Sequence, residues 1–114
     1  MAAYQIKATP VFKVTLSRLV AFLTRKYSEA LAQEVKKEIK SYILERLVDT
    51  PFIGAPSDRL LELGIKEYRQ LLIGDHNILF YRVDENLKEV YLLAVMDSRQ
   101  SIDKLLHEVH LLIE

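Results

Sequence analysis

Between residues 67 and 95 three strand-like runs follow one another across links of four and five residues. These are residues 67–73 (EYRQLLI), 78–83 (ILFYRV) and 89–95 (EVYLLAV). Links that short cannot carry the crossover a parallel pair requires, so the three runs form an antiparallel meander. Gly74-Asp75-His76 supplies the first turn and Asp84-Glu85-Asn86 the second. The second and third runs are almost continuously apolar, which places them centrally, with both faces largely covered. The rest of the chain has to provide that cover.

Upstream the apolar period changes to that of helices. Thr9 followed by Pro10 is an N-cap with proline at the first helical position. Phe12, Leu16, Leu19, Val20 and Leu23 then recur on one stripe. Tyr27-Ser28 interrupts the pattern, and Ser28 can cap a second helix with the stripe Leu31, Val35, Ile39, Tyr42, Ile43 and Leu47, with Lys36, Lys37 and Lys40 on its other side. So short a break gives an antiparallel helical hairpin. Residues 51–56, with Pro51, Gly54 and Pro56, end the second helix and form a loop. Residues 4–7 suit a short edge strand. A last helix is expected from near Ser101, with its stripe at Ile102, Leu105, Leu106, Val109, Leu112 and Ile113. The expected fold is α+β: an N-terminal helical hairpin packed on a small, mainly antiparallel four-strand sheet with a C-terminal helix, in a single domain over residues 1–114.

Composition narrows the chemistry. The chain has no cysteine, which excludes disulfides and thiolate metal sites or nucleophiles. Residues 1–7 have no leader pattern and no apolar run reaches the roughly 20 residues of a membrane span, so a soluble, cytoplasmic protein with no membrane partner is expected. His107 and His110 stand three apart on the last helix, but with only Glu108 or Glu114 nearby they are not read as a metal site. No cofactor is expected. Net charge is zero, although residues 1–50 carry +4 and residues 51–114 carry −4. A neutral chain is a poor candidate for direct nucleic-acid binding, which depends on neutralising phosphates.

The order of elements, together with Tyr68-Arg69-Gln70-Leu71-Leu72-Ile73-Gly74-Asp75-His76-Asn77-Ile78-Leu79-Phe80-Tyr81-Arg82-Val83, resembles the hairpin of the ParE/RelE toxin superfamily. The proline–glycine loop at 51–56 and Asp97-Ser98-Arg99-Gln100 are similar to features of its ParE-like branch. The resemblance implies the toxin of a type II toxin–antitoxin pair, neutralised by a cognate antitoxin in a hetero-oligomer. RelE-like members cleave messenger RNA in the ribosome with a cluster of basic residues and a tyrosine, or glutamate and histidine in other branches. ParE-like members bind the DNA gyrase A subunit and are not nucleases. Here Arg69 occupies the first of two basic positions on the strand, but Leu71 stands at the second. The arginine expected three residues before Tyr81 is Ile78, and no tyrosine or histidine follows the last strand before His107. The balance favours a gyrase-binding toxin with no catalytic residues. A ribosome-dependent endonuclease using Arg69 and Arg99, and a degenerate member kept as a binding module, remain as alternatives. The hairpin arginine usual in ParE-like members falls at Asn77 or Ile78, which bears on potency and antitoxin recognition.

The expected contacts to target or antitoxin are Arg69, Arg82, Asp97, Arg99 and Gln100. A guanidinium suits bidentate recognition of carboxylate or phosphate. Asp97 or Ser98 could equally cap the last helix, with Arg99 paired to Asp97. Which faces Arg69 and Arg82 occupy depends on strand register, because a slip of one residue inverts every side chain. His76 is assigned to turn geometry. The helical hairpin offers apolar surface beyond what the sheet can cover, and such surface marks an interface.

Overall fold

The computed structural model describes residues 3–62, 64–100, 104, 105 and 107. Strand β1 (Gln5–Ala8) leads into α1 (Pro10–Lys26). The Thr9 hydroxyl does two jobs at this junction: it accepts from the Phe12 N–H at 3.1 Å and donates to the Leu92 carbonyl at 2.7 Å. One side chain thus caps the helix and ties its start to the sheet. Tyr27 closes α1 and Ser28 caps α2 (Glu29–Tyr42), accepting from the Leu31 N–H at 3.1 Å. A π-helical turn, Ile43–Leu47, extends α2 toward the 51–56 loop.

The sheet has five strands rather than the four expected, in the order β1-β5-β4-β3-β2. The additional strand is β2 (Ala55–Pro56), lying within the proline–glycine loop and pairing antiparallel with β3 (Tyr68–Ile73) through Ala55 opposite Gln70 and Pro56 opposite Arg69. Proline is tolerated there because an edge strand can forgo one donor. A short helix, α3 (Asp58–Glu62), follows, with Leu60 fully buried. β4 (Asn77–Asp84) and β5 (Glu89–Asp97) complete the meander. β1 pairs parallel with β5, Ile6 opposite Val90, and the helical hairpin carries the chain from β1 at one edge of the sheet to β2 at the other. β5 reaches Asp97, two residues beyond the expected end, and this brings Asp97 into the sheet opposite Asn77.

The register of β4 and β5 shifts at one point: Phe80 faces Ala94, whereas Tyr81 faces Leu92, leaving Leu93 as the extra residue of a β-bulge. Next to it the Val95 N–H donates to the hydroxyl of buried Thr15 on α1, at 3.1 Å. One face of the sheet, through Ile73, Leu79, Tyr81, Val90, Leu92 and Val95, packs on Phe12, Leu16, Leu19 and Leu23 of α1 and on Ala32, Ile39, Ile43 and Leu47 of α2 and its extension. Each large apolar side chain buried this way contributes about 1.5–3 kcal/mol. The other face buries Phe80, Leu93, Ala94 and Met96 against Val11, Leu60, Ile65 and Leu105. Leu31, expected on the buried stripe of α2, is 36% exposed, and neighbouring Ala32 takes the buried place. Of the helix expected from Ser101, the described residues are Lys104, Leu105 and His107, and Leu105 packs on this second face. Ile102, Leu106, Val109, His110, Leu112 and Ile113 lie outside the described residues.

Candidate functional site

The β3–β4 turn, the end of β5 and the open end of the helical hairpin converge on a cleft of about 300 Å³. Its shape begins with Gly74. The backbone there has φ +66°, which glycine adopts without steric cost, and a Cβ would come within 2.7 Å of the Glu38 carboxylate on α2. The turn presents Asp75, His76 and Asn77 to the cleft, and the Ser98 N–H donates to the His76 carbonyl at 2.7 Å, fastening the turn to the end of β5. Leu23, Tyr27, Leu31 and Val35 form the hairpin wall.

Asp97 organises the polar end. Its Oδ1 accepts from the Arg99 backbone N–H and from Nε, both at 2.8 Å, and its Oδ2 accepts from Nη2 at 2.6 Å. This is a two-pronged guanidinium–carboxylate pair, the geometry for which arginine is suited. Gln100 closes the turn by accepting from the Asp97 N–H through Oε1 and donating its own N–H to the Asp97 carbonyl, both at 2.9 Å. The Asp97 side chain is almost wholly buried while Arg99 keeps about a third of its surface, so the carboxylate serves to position the cation. Burial alone would push the Asp97 carboxyl up, but the Arg99 hydrogen bonds and charge, with a smaller contribution from His76, hold it below its usual value. Arg99 in turn donates through Nη1 to the Tyr27 hydroxyl and lies 5.0 Å from the centre of that ring. It also forms the partition to a second groove of about 500 Å³, whose walls include Arg18, Phe22, Arg25 and Lys104.

The five residues expected at the site therefore do not form one site. Asp97, Arg99 and Gln100 are together at the cleft. Arg69 lies on the same face but toward the other end of the sheet, opposite Tyr81. There it donates to the Gly54 carbonyl at 2.5 Å and sits 4.8 Å from the Phe52 ring centre. Arg82 pairs with Tyr68 in the register, one residue out of step with Arg69, and so projects from the opposite face. It stacks on Tyr91 at 4.4 Å, and the Tyr91 hydroxyl donates to Glu89. Sequence reasoning missed Tyr27 and Glu38 as members of the cleft and treated His76 as turn geometry alone. No local pattern joins residues 27, 38 and 76; the need for glycine at 74 was the one readable trace. Among the described residues no cluster of three or more potential metal ligands occurs, and no helix is long and apolar enough to cross a membrane.

This arrangement of a helical hairpin on a mixed sheet is the fold of RelE- and ParE-type toxins. The toxin–antitoxin complex RelBE2 from Mycobacterium tuberculosis aligns with a TM-score of 0.64 at 17% identity, over 85% of this chain and 93% of that one. The chromosomal ParDE toxin–antitoxin system from P. aeruginosa gives 0.65 at 16% identity, over 83% and 96%. A double-alanine variant of the E. coli toxin RelE in the free state gives 0.52 at 18% identity, over 98% and 99%. Sequence comparison narrows the class: residues 6–102 match the ParE toxin of type II toxin–antitoxin systems, and the chain belongs to that family. No curated protein matches it by sequence.

Proposed function

We propose that this chain is a growth-inhibiting toxin that acts in the cytoplasm by binding the DNA gyrase A subunit, and that a cognate antitoxin neutralises it in a hetero-oligomer. The observation that carries the non-catalytic reading is the dispersal of the arginines. Cleaving a phosphodiester needs cations, an acid and a base converging on one phosphate. Arg69 is spent on the Gly54 carbonyl, Arg82 is on the other face, and Arg99 is at the far end of the sheet. Arg99, held by Asp97 and half-open to solvent between two grooves, is the contact we assign to the target, with Asp97 and Gln100 as positioning residues. Family membership supports the antitoxin, while the gyrase target rests on the resemblance to ParE-like members.

One observation favours a second reading. The cleft does gather His76, Tyr27, Glu38 and Arg99, groups that could act as acid, base and cation in a ribosome-dependent endonuclease. The two readings separate cleanly. The chain should be induced without its antitoxin and growth, plasmid supercoiling by purified gyrase and cleavage of translated messenger RNA followed together. Arrested growth with impaired supercoiling and intact messages is the expected result. Cut messages with unimpaired gyrase would establish the endonuclease instead.

A further inference from the structure

The walls of the cleft carry more acceptor capacity than the protein itself uses. Asn77 is 94% buried in its wall (6% exposed), and its Oδ1 is the buried side-chain polar atom without a partner among the described residues. An orphaned acceptor of this kind costs about 1–3 kcal/mol, and because Oδ1 is closed to solvent a donor in the cleft reaches it only by a turn of the Asn77 amide. Two more acceptors stand at the rim. Glu38 on α2 and Asp75 in the β3–β4 turn are exposed, and neither has an ion-pair or hydrogen-bond partner among the described residues. Asp97 and Arg99 neutralise one another, which leaves the two carboxylates of Glu38 and Asp75 as the unpaired acidic groups of the rim. The charge left at the rim is therefore negative. Between rim and floor the wall is aliphatic, made by Leu23, Leu31 and Val35.

An aliphatic channel ending in unpaired acceptors matches one kind of side chain, a long apolar stem with a cationic, multiply donating head. We propose that the cleft seats an arginine or lysine side chain of a partner polypeptide, its stem along Leu31 and Val35 and its head among Glu38, Asp75 and Asn77. The proposal rests on the reading of this protein as one that works by binding, and it adds the chemistry of what is bound. It commits to a basic peptide segment because charge complementarity excludes the alternatives: a nucleic-acid phosphate would meet the two rim carboxylates, and an acidic segment would meet the same repulsion.

The test uses the full chain, labelled with ¹⁵N, titrated with three capped tripeptides: Leu-Arg-Leu, Leu-citrulline-Leu and Leu-Glu-Leu. Citrulline keeps the shape of arginine without its charge. The expected result is that the arginine peptide shifts the Asn77 side-chain amide and the Gly74 and Leu31 backbone signals, with binding at least about fivefold tighter than the citrulline peptide at low salt. That preference should vanish in the Glu38→Gln/Asp75→Asn double variant, whose substitutions are on exposed side chains and spare the core. Equal shifts with citrulline, tighter binding of the glutamate peptide, or no shift at all would overturn the proposal. So would the same signals moving with a short single-stranded RNA, or on dilution of the protein alone, which would place a nucleic acid or a second copy there. A preserved arginine preference alongside unimpaired supercoiling and growth would remove the gyrase reading while leaving the cleft assignment standing.

Discussion

The two ends of the helix-covered sheet face treat an arginine in opposite ways. At the loop end Arg69 is folded under Phe52 and bonds the Gly54 carbonyl, while the Gly54 N–H donates to the hydroxyl of fully buried Tyr81 at 2.9 Å. Gly54 itself admits no larger residue, since a Cβ would lie 2.8 Å from both the Gln70 carbonyl and that hydroxyl. Polar groups at this end are consumed by the chain. At the cleft end Arg99 is held in place yet open, two carboxylates stand unpaired, and one amide oxygen lacks a partner. Residue type therefore says little about role here; what distinguishes the two is whether the chain has already satisfied the donor.

Substitutions can break this contrast. The largest effect should come from Tyr81→Ala, which removes a fully buried ring and the anchor of the 51–56 loop: a loss of about 3–5 kcal/mol in urea unfolding. Tyr81→Phe should cost about 1–3 kcal/mol, because it leaves the buried Gly54 N–H unpaired. At the cleft, Arg99→Lys keeps charge but loses the two-pronged geometry, and binding to the proposed target, the gyrase A subunit, measured by calorimetry, should weaken roughly tenfold with the fold intact. Unchanged binding would remove Arg99 from the interface. Arg69→Met should lower stability by about 1 kcal/mol and leave growth inhibition untouched at equal soluble protein. Toxicity lost with stability retained would make the loop end functional after all. The Asp97 carboxyl is held low in the folded protein, so its contribution is present above the unfolded carboxylate value of about 3.9 and is lost as pH falls through the lower folded value. Asp97→Asn should accordingly destabilise at pH 7 and make little difference at the acid end of that range, as read from denaturant midpoints. Smallest of all, Arg82→Leu on the opposite face should cost about 0.5–1 kcal/mol by removing its contact with Tyr91, and leave gyrase binding unchanged.

Much of this architecture is legible in the sequence. The meander followed from link lengths, and both caps, at Thr9 and Ser28, stand where the sequence placed them. Two elements were hidden for want of length: β2 is two residues ending in proline, and α3 is five. The faces of the arginines were hidden for a different reason. Runs apolar on both faces have no parity to read, and the bulge at Leu93 shifts what parity remains between Phe80 and Tyr81. The cleft was least legible, because its members come from residues 23 to 99 and meet only through the turn at Gly74. Arg99 with Asp97 was found as a short contiguous phrase; Tyr27 and Glu38 had no such phrase to belong to.

The parallel pairing of β1 with β5 also sets a timetable. Gln5 waits for Glu89, and Tyr27 waits for Arg99, so neither the sheet nor the cleft can close until residues near 97 have left the ribosome. At about 5–20 residues per second, synthesis of the helical hairpin precedes that moment by several seconds. Closing contacts so distant in sequence is slow in itself, compared with forming a helical hairpin. A nascent chain thus spends most of its synthesis harmless, and the cleft proposed to recognise its partners is the last part to be assembled.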